Sequence, residues 1–156
     1  MHYFAFINTP IGRLTALEKD GALVFLGLEK TPREGALEKE TPLLADLRAQ
    51  LGEYFAGARK NFDIPLAPEG GTPWQRKCWE GLLDIPYGET RTYGYLASFA
   101  GNACAARAAG GACHANPILI LIPCHRVIGK NGSLTGFGAG MDAKERLLAL
   151  EKAGLS

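Results

Sequence analysis

Features common to membrane and secreted proteins are missing from this sequence of 156 residues. No apolar run approaches the roughly 20 residues that a membrane-spanning helix needs. The N-terminal stretch MHYFAFINTP has no basic segment ahead of a long apolar one, which argues against a secretory signal. Hydrophobic residues make up 47% of the chain and charged residues 21%, as in ordinary globular proteins. The sequence therefore predicts a cytoplasmic protein of one domain or two small ones, with no membrane partner.

Cysteine is also scarce. The chain has four: Cys78, Cys104, Cys113 and Cys124. Because nothing else suggests secretion, reduced thiols are favoured over a disulfide framework. A metal site is the competing interpretation, since Cys113-His114 and Cys124-His125 offer four potential ligands. Their spacing fits no standard zinc pattern and adjacent ligands rarely converge on one ion, so the sequence favours no metal.

A large surplus of charge is absent as well, because the net charge is only +1 at pH 7. By itself this argues against a nucleic-acid partner. The two halves differ, however. Residues 1–71 carry 8 basic and 10 acidic side chains, a net charge of −2, and residues 72–156 carry 9 and 6, a net charge of +3. This asymmetry is modest, and an ordinary solvated face would also explain it.

The N-terminal part predicts a small sheet with one helix. Asp20-Gly21 lies between LTALEK and ALVFLGL and favours the tight turn of a β-hairpin, and HYFAFI predicts a third strand. Thr41 and Pro42 predict the start of a helix with one leucine-rich face, which ends at Gly57. FDIPL is expected to return to the sheet. APEGGTP, residues 67–73, is the predicted linker between a 1–71 sheet-and-helix domain and a 72–156 domain.

Beyond the linker the pattern is helical. Thr72 and Pro73 predict the start of a helix with an apolar stripe that ends before PYG. TYGYLASFA predicts a short helix that ends at Gly101, and Asn102 is expected to cap the next helix, ACAARAAGGACH. Two short helices joined by a tight turn are typical of a helix-turn-helix, although plain packing helices give the same pattern.

The second helix of this pair has few side chains that could read a base. Between residues 103 and 113 the one long charged side chain is Arg107, among alanines and glycines. A helix that reads base edges in the major groove needs several hydrogen-bond donors. Any contact with DNA is therefore expected to be non-specific and to use the minor groove. The alternative is an Ala/Gly helix packed inside the protein, with Arg107 reaching out to solvent.

The stretch NPILILIPCHRVIGKNGS, residues 116–133, combines an apolar run with reactive side chains. ILILI is short and bounded by prolines, so it predicts a strand covered on both faces that stops pairing at Pro123. Cys124 is then expected at the strand's end, turned out of the core, where a neighbouring imidazole makes it a candidate nucleophile. His125 would need a bridging water to reach the thiol, and an orienting acceptor, for which Glu151 is one candidate.

Three ordered motifs lie in the C-terminal half: IPYGETRTYGYLA, GNACAARAAGGA and NPILILIPCHRVIG. In this order and with these gaps they resemble the O6-alkylguanine-DNA alkyltransferases, the methylated-DNA–protein-cysteine methyltransferase family. The resemblance runs from about Thr72 to the C-terminus and extends more loosely over residues 1–71. It implies an α/β (α+β) fold, with a small N-terminal ribonuclease-H-like sheet domain followed by a helical, winged helix-turn-helix-like C-terminal domain.

The resemblance implies roles for four side chains around the thiol. Cys124 would accept the alkyl group of O6-alkylguanine in DNA, with O4-alkylthymine as a second candidate substrate. His125 and Glu151 would relay and hold the thiol proton through a water, and Asn116 would brace the turns behind the site. No side chain can hydrolyse the resulting thioether, so each molecule should act once. No cofactor or metal is implied.

The resemblance also implies a partner: double-stranded DNA, bound by a monomer in the minor groove with little sequence specificity. The target base would be flipped out of the stack. Tyr93 would press the target phosphate and help to rotate the nucleotide, and Arg107 would fill the vacated space. Asn102 and Lys130 would lie at the DNA backbone. The base pocket would be lined by Cys113, Leu119, Val127, Phe137 and Gly138.

The chain departs from the family pattern at a few positions. Asn102-Ala103-Cys104 stands where the family commonly has Asn-Pro-Lys, Leu119 replaces a usual proline, and Phe137 stands where many members have tyrosine. These changes are expected to weaken DNA affinity or to alter which alkyl groups fit, more than to remove the reaction.

Two alternative functions follow from the same residues. A non-catalytic sensor of alkylated DNA would flip damaged bases and only mark them, but such proteins lack the acceptor cysteine, and this chain has Cys124. A thiol hydrolase would use Cys124 and His125 and would need water admitted to a covalent intermediate. Nothing in the sequence specifies an acyl substrate for it.

Overall fold

The computed structural model describes residues 1–28, 31–132 and 140–154, and its chain divides into two units, Met1–Glu69 and Gly70–Ser156. The first unit holds β1 (His2–Thr9), β2 (Gly12–Lys19), β3 (Ala22–Leu28), β4 (Leu37–Glu38) and α1 (Pro42–Phe55). The second holds α2 (Pro73–Leu83), β5 (Arg91–Thr92), α3 (Tyr93–Phe99), α4 (Ala106–His114), β6 (Val127–Ile128) and α5 (Met141–Gly154). The predicted α/β class, with an N-terminal sheet and C-terminal helices, is confirmed. Within the described ranges, no helix is both long enough and apolar enough to cross a membrane.

The first unit is a four-stranded sheet in the order β3-β2-β1-β4. Asp20 and Gly21 form the predicted hairpin turn between β2 and β3, with φ angles of 52° and 77°, the left-handed conformation that such a turn requires. The FDIPL segment returns to the sheet through a single parallel bridge between Leu23 and Leu66. The two-residue strand β4 pairs parallel to β1 and is too short to have a sequence signature.

The helix α1 begins as predicted. The Thr41 hydroxyl accepts a hydrogen bond from the Leu44 N–H at 3.1 Å, and Pro42 occupies the first turn, where its missing N–H has no consequence. Leu44, Leu47 and Leu51 are buried on one face of this helix. Their spacing of three and four residues is what makes the helix stable, because it places the three apolar side chains in one stripe.

Two helices of the second unit, α2 and α3, have starts that are capped by threonine. Thr72 and Gln75 form a reciprocal capping box at the start of α2, and the Thr92 hydroxyl accepts from the Tyr95 N–H at 3.1 Å at the start of α3. The Trp79 indole donates to the Ala112 carbonyl at 2.9 Å, which ties α2 to α4. The pair α3 and α4, joined through Gly101, is the predicted helix-turn-helix.

The predicted start of the second helix of this pair was wrong. The helix α4 begins at Ala106 and not directly after Asn102, and its N-cap residue, Ala105, makes no side-chain capping bond. The Asn102 side chain instead accepts from the Cys104 N–H at 3.1 Å. An asparagine that bonds the backbone two residues on stabilises a turn, and this turn competes with an immediate helix start.

The predicted strand over residues 118–122 was also wrong. The segment is a buried turn in which the Leu121 N–H donates to the Leu119 carbonyl at 2.7 Å, and Ile120 has a φ of 72°. The Asn116 side chain holds both ends, since its amide donates to the Ile122 carbonyl at 2.8 Å and its oxygen accepts from the Ile118 N–H at 3.0 Å. An apolar run indicates that a segment is buried, but it does not specify a strand. Side chains and local turns can also satisfy the hydrogen bonds of the backbone.

Candidate active site

Cys124 opens a short 3-10 turn, Cys124–Arg126, directly after the buried turn. The residue is 3% exposed, so the expectation of a thiol turned out of the core was wrong. Burial raises the pKa of the Cys124 thiol to about 11, although a hydrogen bond with Asn116 and the charge of Lys144 act to lower it. The sulfur is therefore protonated at neutral pH and needs a base before it can act as a nucleophile.

The adjacent imidazole is held by a carboxylate. His125 Nε2 lies 2.6 Å from Glu151 Oε2, and the two side chains are 0% and 1% exposed. Burial lowers the pKa of His125, against the opposing effect of Glu151, so the ring is neutral at physiological pH. A neutral ring that donates its Nε2–H to Glu151 presents Nδ1 as the proton acceptor. The structure thus brings together the two residues that the resemblance paired with Cys124.

Arg126, for which the sequence suggested no role, also binds the Glu151 carboxylate. Its Nε donates to Glu151 Oε1 at 2.8 Å and its Nη2 to Oε2 at 3.1 Å. The Gly88 N–H adds a bond to Oε1 at 3.2 Å. Burial alone would raise the pKa of Glu151, but the hydrogen bonds and charges of His125 and Arg126 bring it down to about 2. The carboxylate is therefore ionised at neutral pH.

A buried lysine is the second residue that sequence reasoning missed. Lys144 of α5 is 1% exposed. Its Nζ donates to the Val127 carbonyl at 2.6 Å and to the Tyr93 hydroxyl at 3.5 Å. Burial lowers the pKa of Lys144, and the neighbouring Cys124 acts in the opposite direction. The sequence did carry a signal, since Lys144 and Glu151 share the helical stripe of Leu147, where apolar residues are expected.

Three of the four residues predicted to bind DNA, Tyr93, Arg107 and Lys130, line a groove of about 560 Å³ at the helix-turn-helix. Its lining consists of Thr92, Tyr93, Gly94, Ala106, Arg107 and Lys130. The Tyr93 ring lies close to Gly110 of α4, and Arg107 and Lys130 are exposed. Asn102 is exposed in the turn before α4. Tyr93 connects this groove to the thiol, because its hydroxyl meets the same ammonium group that acts on Cys124.

The residues predicted for the base pocket are placed in part. Cys113, Leu119 and Val127 are buried, and Phe137 and Gly138 lie outside the described residues. Burial raises the pKa of Cys113, and the Cys124 thiol adds to this effect, so the two sulfurs are close neighbours. All four cysteines are free thiols. Across the described ranges, no three His, Cys, Asp or Glu side chains are grouped in a way that could hold a metal ion.

The groove at the helix-turn-helix is lined by basic side chains, and Tyr93 links it to a buried thiol that is followed by an imidazole–carboxylate pair. This arrangement is expected of a DNA-binding protein that supplies its own nucleophile. Comparison with known families agrees with this class. Residues 2–68 match the family model described as the ribonuclease-like domain of 6-O-methylguanine DNA methyltransferase. Residues 73–153 match the model for the DNA binding domain of the same protein.

Individual relatives extend the match over nearly the whole chain. The methylated-DNA–protein-cysteine methyltransferase of Methanosarcina acetivorans is 44% identical over 96% of this chain and 97% of its own length. The constitutive enzyme of that name from Bacillus subtilis is 43% identical over 97% and 96%. The crystal structure of Mycobacterium tuberculosis OGT in complex with DNA superposes with a TM-score of 0.90 at 44% identity, covering 97% of this chain and 94% of that one.

The chain therefore belongs to the 6-O-methylguanine DNA methyltransferase family. Its activity is that of the family, the direct repair of alkylated DNA by transfer of the alkyl group to a cysteine of the protein.

Proposed function

We propose that Cys124 is the acceptor, and that it takes the alkyl group from O6-alkylguanine in double-stranded DNA once per protein molecule. The observation that carries this proposal is the pair formed by the residue directly after the thiol: the neutral His125 imidazole, whose Nε2 lies 2.6 Å from the ionised Glu151 carboxylate. A thiol with a pKa of about 11 reacts at neutral pH only if a base takes its proton. Cys113 is also directly followed by a histidine, but His114 is exposed, whereas His125 is buried against the Glu151 carboxylate.

The reaction is a displacement at the alkyl carbon. The bond from sulfur to carbon forms as the bond from carbon to O6 breaks, and guanine leaves with the bonding electron pair. The thiol proton passes through a water to His125 Nδ1, where Glu151 stabilises the imidazolium, and this proton is then returned to the departing guanine, which leaves in its neutral form. Asn116 contributes by a hydrogen bond that favours the thiolate. The thioether has no route to hydrolysis, so the protein is consumed.

The proposed DNA complex follows from the groove on the helix-turn-helix. The exposed face of α4 carries Arg107, Ala108 and Gly111, and small residues let the backbone approach the narrow minor groove. The O6 atom of a paired guanine lies inside the duplex, so the base has to be extruded. Tyr93 at the floor of the groove would help to rotate the nucleotide and Arg107 would fill the gap, with little sequence specificity.

The remaining residues keep the roles that the family resemblance implies. Residues 72–156 would bind DNA and accept the alkyl group, and residues 1–71 would form a separate N-terminal domain. Asn102 and Lys130 would contact the DNA backbone. The base pocket would be lined by Cys113, Leu119, Val127, Phe137 and Gly138. The protein would act in the cytoplasm as a monomer, with O4-alkylthymine as a second candidate substrate.

The test is a single-turnover assay with a duplex that contains one O6-methylguanine. With protein in excess, the damaged base is expected to be restored fully. With duplex in excess, repair is expected to stop at one base per protein molecule. Cys124→Ala should abolish repair and Cys104→Ala, at an exposed cysteine, should not. Repair that continues past one base per molecule would contradict the proposal, and so would binding without repair, as the sensor alternative predicts.

A further inference from the structure

The charge balance around His125 assigns a task to Arg126. His125, Glu151 and Arg126 form a cluster in which every side chain is less than 10% exposed. The Glu151 carboxylate accepts hydrogen bonds from His125, from two nitrogens of Arg126 and from the Gly88 backbone. With Glu151 ionised and Arg126 charged, the cluster is neutral overall as long as the imidazole carries no proton charge.

Because the cluster is buried, its net charge determines whether His125 is protonated. A buried cluster with an uncompensated charge is strongly disfavoured, and titratable members respond by taking up or losing protons. If Arg126 carried no charge, the cluster would be left with the single negative charge of Glu151. The imidazole, 2.6 Å away, is then the group that can neutralise it by binding a proton. A protonated imidazole has no lone pair to receive the proton of Cys124.

The guanidinium is fixed in the position that this balance needs. Two of its nitrogens bind the two carboxylate oxygens, and the third, Nη1, donates to the Ile85 carbonyl at 2.7 Å. Its carbon lies 5.8 Å from the centre of the Tyr87 ring. Such planar, two-point binding fixes both the charge and the orientation of the carboxylate, and a lysine reproduces only the charge.

We propose that Arg126 is a positioning residue: as the counter-charge of Glu151, it keeps the His125 ring uncharged in the resting protein, ready to receive the thiol proton. This inference rests on the proposed role of His125 as the base. Glu151 and Lys144, both of α5, also act on the ring, and Tyr87 lies near Glu151 and Arg126. Lys144 acts in the same direction as Arg126 on the pKa of His125, but its Nζ donates to the Val127 carbonyl, whereas the guanidinium of Arg126 binds both oxygens of Glu151.

The test compares Arg126→Met with Arg126→Lys by two readouts. The first is the NMR titration of the His125 ring in histidine-labelled protein without DNA, assigned with a His125→Gln sample. The second is the rate of alkyl transfer as a function of pH. In Arg126→Met, His125 is expected to be protonated near pH 7. The rate of alkyl transfer should then fall about tenfold for each unit by which the pKa of His125 exceeds the pH. The rate should recover as the pH is raised.

Arg126→Lys keeps the charge, so His125 should remain neutral near pH 7 and the rate profile should keep its shape. A purely structural role predicts something else: both variants would lose rate by the same factor at every pH, with the His125 titration unmoved, and this result would overturn the inference. Should Arg126→Met not fold, a shift of the His125 titration to higher pH in Arg126→Lys would also overturn it. The titration needs no substrate, so failure of the proposed transfer reaction is detected separately, as an absence of repair by the unchanged protein.

Discussion

At the scale of single residues, the thiol is surrounded by charges that an apolar interior ordinarily excludes. Lys144 and Glu151 are each 1% exposed, and both belong to α5. A buried charge persists only with partners, and these two have them: the Val127 carbonyl and the Tyr93 hydroxyl for the lysine, and the imidazole and the guanidinium for the glutamate. The positive charge of Lys144 stabilises the Cys124 thiolate, and the negative charge of Glu151 stabilises the protonated form of His125. Both charges therefore favour removal of the thiol proton.

The first prediction concerns the ammonium group. Lys144→Met keeps an unbranched buried side chain and removes the charge that lowers the pKa of Cys124. We expect the rate of methyl transfer at neutral pH to fall roughly tenfold for each unit by which the pKa of the thiol rises. The measurement is the second-order rate with a methylated duplex, accompanied by titration of the thiol with a haloacetamide. Lys152→Met, at an exposed position of the same helix, is the control. An unchanged rate and an unchanged thiol titration would contradict the role given to Lys144.

Some residues of the site could be predicted from the sequence and others could not. Cys124 and His125 stand out because reactive side chains directly follow an apolar run. Lys144 and Arg126 did not, because lysine and arginine are usually exposed. The pairing of His125 with Glu151 joins residues 26 positions apart, and no local pattern specifies such a contact. It came from the family resemblance, and the roles of these residues remain predictions that the mutations above address.

At the scale of elements, the correct expectations were those with local causes. The Asp20-Gly21 hairpin and the Thr41 and Thr72 caps depend on residues within four positions of one another, so their sequence patterns suffice. The buried turn at 118–122 has a different cause. Asn116 supplies hydrogen bonds to both of its ends, and the left-handed Ile120 is a conformation that a β-branched residue adopts only under such constraint. Pattern alone therefore favoured a strand.

The second prediction concerns α4 and its arginine. Arg107→Ala should slow transfer from duplex DNA by about tenfold, because a side chain that fills the vacated stack recovers part of the few kcal/mol needed to extrude a base. Transfer from free O6-benzylguanine should be nearly unchanged, since no base is extruded. Arg76→Ala, at an exposed arginine of α2, serves as the control. Equal losses with both substrates would show that Arg107 acts on the chemistry or on folding instead.

At the scale of the whole molecule, the buried pair makes stability depend on pH. The folded-state pKa values of His125 and Glu151 both lie below the ordinary values of 6.5 and 4.5. Each group therefore stabilises the fold above its ordinary pKa, and this contribution is lost as the pH falls through the folded pKa. The unfolding free energy should thus decrease below about pH 6.5 through His125, and further between 4.5 and about 2 through Glu151.

The third prediction concerns the contribution of Glu151 to the unfolding free energy and its dependence on pH. Glu151→Gln should be less stable than the unchanged protein at pH 7, by an amount on the order of 3 kcal/mol, and the two should converge as the pH falls toward 2. Urea unfolding at a series of pH values measures this difference. Glu145→Gln, at an exposed glutamate of the same helix, should follow the unchanged protein throughout. A Glu151→Gln deficit that stays constant down to the most acid pH would exclude the proposed pairing as the cause.

The central claim is that one particular sulfur of the four takes the alkyl group from DNA. The most direct measurement is peptide mapping by mass spectrometry after the protein has reacted with an equimolar duplex that carries O6-methylguanine. The account predicts one methyl group per chain, located on the peptide that contains Cys124, and none after reaction with undamaged duplex. A methyl group on Cys78, Cys104 or Cys113, or a chain left unmodified while the damaged base disappears, would contradict it.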